Sequence, residues 1–161
     1  MSHQNEYDVV LLKCVDGDTV DVDINLGFGV WLKEERVRIM GIDTPESRTS
    51  NDVEKLFGLA AKARLKELLH DGGKLITTED AKGEDMKGKF GRILGDFKVD
   101  YNGAMKKVTE ILVEEGHAVA YFGGSKDDTQ AAHLANRERI LNEGLVSKED
   151  YNAAVIKMEG K

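Results

Sequence analysis

The dipeptide Asp16-Gly17, set between two β-rich runs, constrains the fold of this chain more than any other feature. Before it stand Val9, Val10, Leu11, Leu12 and Val15, a strand from about Asp8 to Val15. After it Val20, Val22, Ile24 and Leu26 alternate with Asp21, Asp23 and Asn25, the period of a half-buried strand from Thr19 to about Leu26. Asp-Gly suits the tight antiparallel turn that joins such strands, so the two runs predict a hairpin. Gly27 to Leu32 then reads as a longer loop or an irregular hairpin end, with Trp31 either packed under it or on the surface.

The stretch Arg36 to Glu46 carries the second constraint and the first chemistry. Val37, Ile39 and Ile42 suit a half-buried pleated surface. Pro45 fixes its own φ and removes an amide donor, which stops the strand there. Charge gathers at that stop: Arg38 on the strand, Asp43 at its end, Glu46 just past the proline. A cation and two carboxylates on a rigid strand end suit a metal-assisted reaction on an anion. The plainer alternative is surface charge around an ordinary turn. Side chains alternate along a strand, so Arg38 and Asp43, five positions apart, start on opposite faces. They reach one site only if the strand bends between them, and Gly41 is the place for the bend.

A helix follows the polar connection Ser47 to Asn51. Asn51 and Glu54 have capping-box spacing. Val53, Leu56, Phe57, Ala60, Ala61, Leu65, Leu68 and Leu69 recur at three and four, and Asp71-Gly72-Gly73 ends the run. Lys74 to Glu79 reads as a fourth strand and Gly91 to about Tyr101 as a fifth. Between them Asp80 to Lys89 is a charged loop, whose acidic cluster Asp80–Asp85 reads as solvated. A helix from about Lys106 to Glu115 comes next, then one from Asp128 or Thr129 to about Asn142 with Ala131, Leu134, Ala135 and Leu141 as its apolar face. Ser147 and Asp150 cap a last helix, with Val146 and Tyr151 placed as a hydrophobic staple. These elements predict an α+β fold: a five-stranded β-barrel of the oligonucleotide-binding (OB) type with three helices plus a C-terminal tail helix. The expected organisation is one domain over residues 1–146 and a helical extension over 147–161. The extension's apolar face would pack on the domain or join two chains into an oligomer.

At 161 residues and 17.8 kDa the chain can bury one sizeable core. The single cysteine, Cys14, excludes an internal disulfide and a thiolate metal site, and reads as a small core residue. Met1 to Glu6 has neither a basic region nor an apolar core, and no apolar run approaches a membrane span. An intracellular protein without a membrane partner is therefore expected. The net charge of −7 makes a generic nucleic-acid coat a poor fit. A polyanionic substrate would need a local basic site or a bound cation.

Three segments, read in order, resemble the staphylococcal nuclease (thermonuclease) family. They are Val-Asp-Gly-Asp-Thr-Val at 15–20, Val-Arg-Ile-Met-Gly-Ile-Asp-Thr-Pro-Glu at 37–46 and Lys-Phe-Gly-Arg at 89–92. Gly116 to Tyr121, Gly-His-Ala-Val-Ala-Tyr, looks like the family's late segment, so the resemblance covers about residues 8–145. It implies the five-stranded barrel and calcium-dependent endonuclease cleavage of DNA or RNA that leaves a 3′-phosphate. Under that resemblance the carboxylates of Asp18 and Asp43 and the backbone carbonyl of Thr44 hold one Ca2+ ion. Glu46 is the general base, Arg38 and Arg92 bind the scissile phosphate, and Lys89 and Tyr121 contact the nucleotide. It gives no role to His117 or His133, which read as structural or solvated.

The chemistry is coherent from below. Guanidinium forks match phosphate oxygens and stay charged, calcium takes oxygen ligands, and a nearby carboxylate can accept a proton from water. The chain also departs from the family pattern. A longer insert, about Leu26 to Glu35, separates the second and third strands; Phe90 replaces a frequent tyrosine; Gly123 stands where a second late tyrosine is expected. The rival is a non-catalytic nucleic-acid- or protein-binding module that keeps the barrel and loses the site. Retention of Arg38, Arg92, Asp18, Asp43 and Glu46 favours the enzyme.

Overall fold

A computed structural model of the chain describes residues 4–78, 92–121 and 125–160. The hairpin at Asp16-Gly17 is present: β1 (Gln4–Asp16) pairs antiparallel with β2 (Thr19–Gly27), placing Asp16 opposite Thr19 and Val9 opposite Ile24. Val20, Val22 and Ile24 are buried as their alternation predicts, but Leu26 is exposed. Of the two readings of Gly27 to Leu32, a longer loop or a hairpin end, the hairpin holds: the stretch is the far end of a second hairpin. Gly27, Phe28 and Gly29 all have positive φ (85°, 56° and 75°), which turns the chain tightly into β3 (Val30–Ile39). Val30, Trp31 and Leu32 pair with β2 yet stay exposed. With no buried face there, the stretch lacks the alternation by which a strand is recognised.

β3 ends at Ile39, and the chain breaks at Met40-Gly41 with Gly41 at φ +84°. A two-residue strand, β4 (Ile42–Asp43), follows. Helix α1 (Asp52–Leu69) starts where its cap predicts, the Asn51 side chain accepting the Glu54 N–H at 3.0 Å. Next come β5 (Gly73–Thr78), β6 (Ile93–Tyr101), β7 (Ala104–Lys107), α2 (Val108–Glu114) and β8 (Val119–Ala120). The chain finishes with α3 (Lys126–Glu143) and α4 (Lys148–Glu159). β7 takes residues that read as the start of a helix, because Asn102-Gly103 turns the chain back along β6.

The strand order is β3-β2-β1-β5-β6, with β7 added on β6. Parallel pairing of β3 with β6, Val37 opposite Ile93 and Ile39 opposite Gly95, closes the first five into a barrel. This is the expected OB-type α+β architecture with four helices. Val20, Val37, Ile39 and Phe97 fill the barrel, and Leu65 and Leu69 of α1 and Leu112 of α2 cover it. A second cluster joins Phe57, Ile140 and Val146, with Tyr151 of α4 edge-on to Phe57 at a centroid distance of 6.2 Å. The tail helix therefore packs on α1 in this chain. Among the described residues no helix is long and apolar enough to cross a membrane. The expected loop Asp80 to Lys89, with its acidic cluster, lies outside the described residues.

Candidate active site

The break at Gly41 brings the strand-end charges together. Asp18 is fixed at the end of the first hairpin: its backbone carbonyl accepts the Ile39 N–H at 2.8 Å and its carboxylate accepts the Thr19 hydroxyl at 3.0 Å. Arg38 places Nη2 3.4 Å from Asp18 Oδ2 and donates to the Ile42 carbonyl at 3.1 Å, while Nη1 donates to the Ile39 carbonyl. One guanidinium thus holds both sides of the break and faces a carboxylate. Asp43 follows on β4, whose backbone pairs with β8 at Val119. Its Oδ2 lies 2.8 Å from Nε2 of His133 on α3.

Glu46 sits in the next turn, which rests on α1. A Cβ added to Gly58 would lie 2.3 Å from the Glu46 carbonyl oxygen, so only glycine lets the helix approach this closely. Asp16 joins the two turns: the Ser47 hydroxyl donates to one oxygen, and Arg48 Nη2 lies 3.7 Å from the other. Thr44 is buried close to Asp18, and among the described residues its hydroxyl has no partner in hydrogen-bond geometry.

Negative charge accumulates here. Burial holds the Asp18 carboxyl above the ordinary carboxylate range, against the opposing pull of Arg38, and Asp16 pushes it further up. Burial also raises Glu46, and the charges of Asp16, Asp18, Glu54 and Asp43 add to it. For both groups the ionised form opposes folding. That opposition is present above their folded pKa values and is lost as pH falls through them.

The other expected residues border this cluster where they are described. Arg92 stands just before β6 and lines a cavity of about 670 Å³ with Asp16, Thr19, Arg36 and Arg48. Its buried Nε finds no partner among the described residues. The Tyr121 N–H donates to the Gly41 carbonyl at 2.9 Å, which sets that residue beside the strand break. Lys89 lies outside the described residues. Two site neighbours have no site role in the sequence reading, where Asp16 is a hairpin-turn residue and His133 structural or solvated. Asp16 looked like an ordinary turn residue, although the second aspartate in Asp-Gly-Asp was a signal. His133 lies 90 positions from Asp43, and no local pattern announces that contact.

Carboxylates, a carbonyl and a hydroxyl are the donors that a hard cation takes. Among the described residues no three Asp, Glu, His or Cys side chains form a ready-made chelate. The set fits a cation with few protein ligands and several waters, and the repulsion that Asp16, Asp18 and Asp43 exert on Glu46 is what such an ion would relieve.

Residues 36–143 match the family described as "Staphylococcal nuclease homologue". The chain is 32% identical over 157 residues, 92% of its length, to the SPbeta prophage-derived endonuclease YokF of Bacillus subtilis. It is 38% identical over 114 residues, 70% of its length, to the endonuclease YncB of the same organism. Those alignments cover 49% and 48% of the relatives, so the chain spans about half the length of the curated relatives it matches. Members of the family are generally metal-dependent nucleases. With barrel, strand break and family match in agreement, the chain belongs to the staphylococcal nuclease homologue family.

Proposed function

We propose that this chain is a calcium-dependent endonuclease that hydrolyses phosphodiester bonds of DNA or RNA and leaves 3′-phosphate ends. The observation that carries the reading is the convergence of Asp18, Arg38, Asp43 and Glu46 at the broken end of β3. Asp18, Asp43 and the Thr44 carbonyl would hold the ion, and the donor chemistry suits calcium. A bound calcium supplies a hard positive charge that offsets phosphate repulsion and orders water.

The chain's own residues do the rest. Arg38 is fixed to two backbone carbonyls, so its charge is positioned before substrate arrives. Arg92 lines the cavity beside Asp16, its buried Nε finds no partner among the described residues, and its fork can take a second phosphate oxygen. Glu46, raised above the ordinary carboxylate value, is a better proton acceptor than a free glutamate. Water oxygen bonds to phosphorus, its proton passes to Glu46, and the bond from phosphorus to the 5′ oxygen breaks. Tyr121 and Lys89 would contact the nucleotide, the first from beside the break. The test is cleavage of a labelled single-stranded DNA, and of an RNA of the same sequence, in calcium or in chelator. Calcium-dependent internal cleavage with 3′-phosphate ends is expected. Binding without cleavage under both conditions would favour the binding module.

A further inference from the structure

We infer that His133 is a positioning residue, which holds Asp43 so that one carboxylate oxygen stays free for the cation. This inference rests on the calcium reading above. It starts from a conflict between sequence pattern and structure. The apolar face expected for α3 contains Leu134, yet Leu134 is 51% exposed and His133 is 6% exposed. The buried residues of this 18-residue helix are His133 and Ile140, seven apart and so on one face. Ile140 fills the cluster with Phe57 and Val146, as a core residue should. An ordinary packing helix would carry a second aliphatic residue at 133.

Burying an imidazole costs free energy unless its polar atoms find partners. Here the partner is Oδ2 of Asp43, at 2.8 Å. An ionised carboxylate only accepts, so Nε2 carries the proton and donates it. That bond occupies one oxygen and fixes the side chain's rotation, while β4–β8 pairing fixes the backbone beneath it. Asp43 then meets the cation through Oδ1 without first losing rotamer freedom. The place where local pattern and fold disagree is thus a contact on a candidate ligand, where such disagreements concentrate. Outer-sphere partners of metal ligands typically contribute tenfold to a hundredfold in affinity.

The experiment is calcium titration by calorimetry on the full chain as wild type, His133→Leu, His133→Gln and Asp43→Asn. Unfolding temperatures without calcium are measured alongside. Gln places a side-chain N–H near the position of Nε2, whereas Leu fills the space without a donor. We expect His133→Leu to weaken calcium binding about tenfold or more and His133→Gln to recover most of it. Asp43→Asn should weaken binding at least as much. A merely structural histidine would lower the calcium-free unfolding temperature in both variants and leave the Kd of folded protein unchanged. That outcome, with Asp43→Asn still impaired, would overturn this inference and leave the calcium site standing. A wild-type chain that takes up no calcium, or an Asp43→Asn chain that binds as wild type does, would overturn both.

Discussion

At the level of single residues the site depends on shape as much as on charge. Arg38 makes directed bonds to two carbonyls and faces Asp18, which a point-charge ammonium cannot reproduce in one plane. Arg38→Lys and Arg92→Lys should each lower turnover at least about tenfold, roughly 1.4 kcal/mol of barrier. Wild-type rates in both variants would remove these side chains from the phosphate site. Gly58 gives a sharper test because two effects oppose each other. Helix propensity alone would make Gly58→Ala stabilising by about 1 kcal/mol. The new Cβ would, however, lie 2.3 Å from a backbone oxygen of Glu46, far inside contact distance. The clash should win: we expect a loss of about 1–3 kcal/mol in denaturant unfolding, with turnover reduced in the folded fraction. A stabilised, fully active variant would show that the Glu46 turn does not rest on this glycine. The charged residues of this cluster were legible in the sequence because Asp18, Arg38, Asp43 and Glu46 lie in two short motifs. Gly58 was not, since its meaning lies in the distance to another segment.

Among the elements, those with local signals were read well. The Asp16-Gly17 hairpin, the Asn51 cap of α1 and the Ser147 cap of α4 each follow from a few adjacent residues. The far end of the second hairpin could not be told from a loop because both its strands leave the core there, and Phe28 at its tip is fully exposed. The inward face of α3 differs from the expectation at Leu134, which is exposed, because His133 meets Asp43 on the face where Ile140 joins the apolar cluster. Two predictions belong at this scale. His117, three residues past α2, is buried with Nδ1 lacking a partner among the described residues, and burial pushes its imidazole below the ordinary 6.5. The unfolded chain therefore takes up this proton first. The resulting stability is full above about pH 6.5 and is lost as pH falls below that value toward the folded pKa. Unfolding midpoints at about pH 7.5 and pH 5.5 should differ less in His117→Leu than in wild type. Equal differences would mean that this histidine is not desolvated. The other prediction concerns α4, which contacts α1 through Tyr151 and Phe57. Ending the chain after Val146 should cost about 1–3 kcal/mol of stability while the folded remainder keeps its turnover. Loss of turnover in folded, shortened protein would move the functional boundary past residue 146.

For the whole molecule the net charge of −7 and a polyanionic substrate are reconciled only by local positive charge. Arg38 and Arg92 supply part of it, and a cation among Asp18, Asp43 and Glu46 would supply the rest. Without an ion Asp18 and Asp43 repel Glu46 in the folded state, and unfolding relieves this. An ion bound there favours the folded state by RT ln(1 + [L]/Kd), about 2.7 kcal/mol at a hundredfold excess over Kd. For a chain of this size that corresponds to a rise in unfolding temperature of about 5–10 °C. The decisive measurement is the calcium-induced shift in unfolding temperature of wild type beside Asp43→Asn. We predict a much smaller calcium shift in Asp43→Asn, which loses a ligand charge and with it the charged acceptor of the buried His133 N–H. Equal shifts in the two proteins would contradict the proposed site and leave calcium bound elsewhere on an acidic surface.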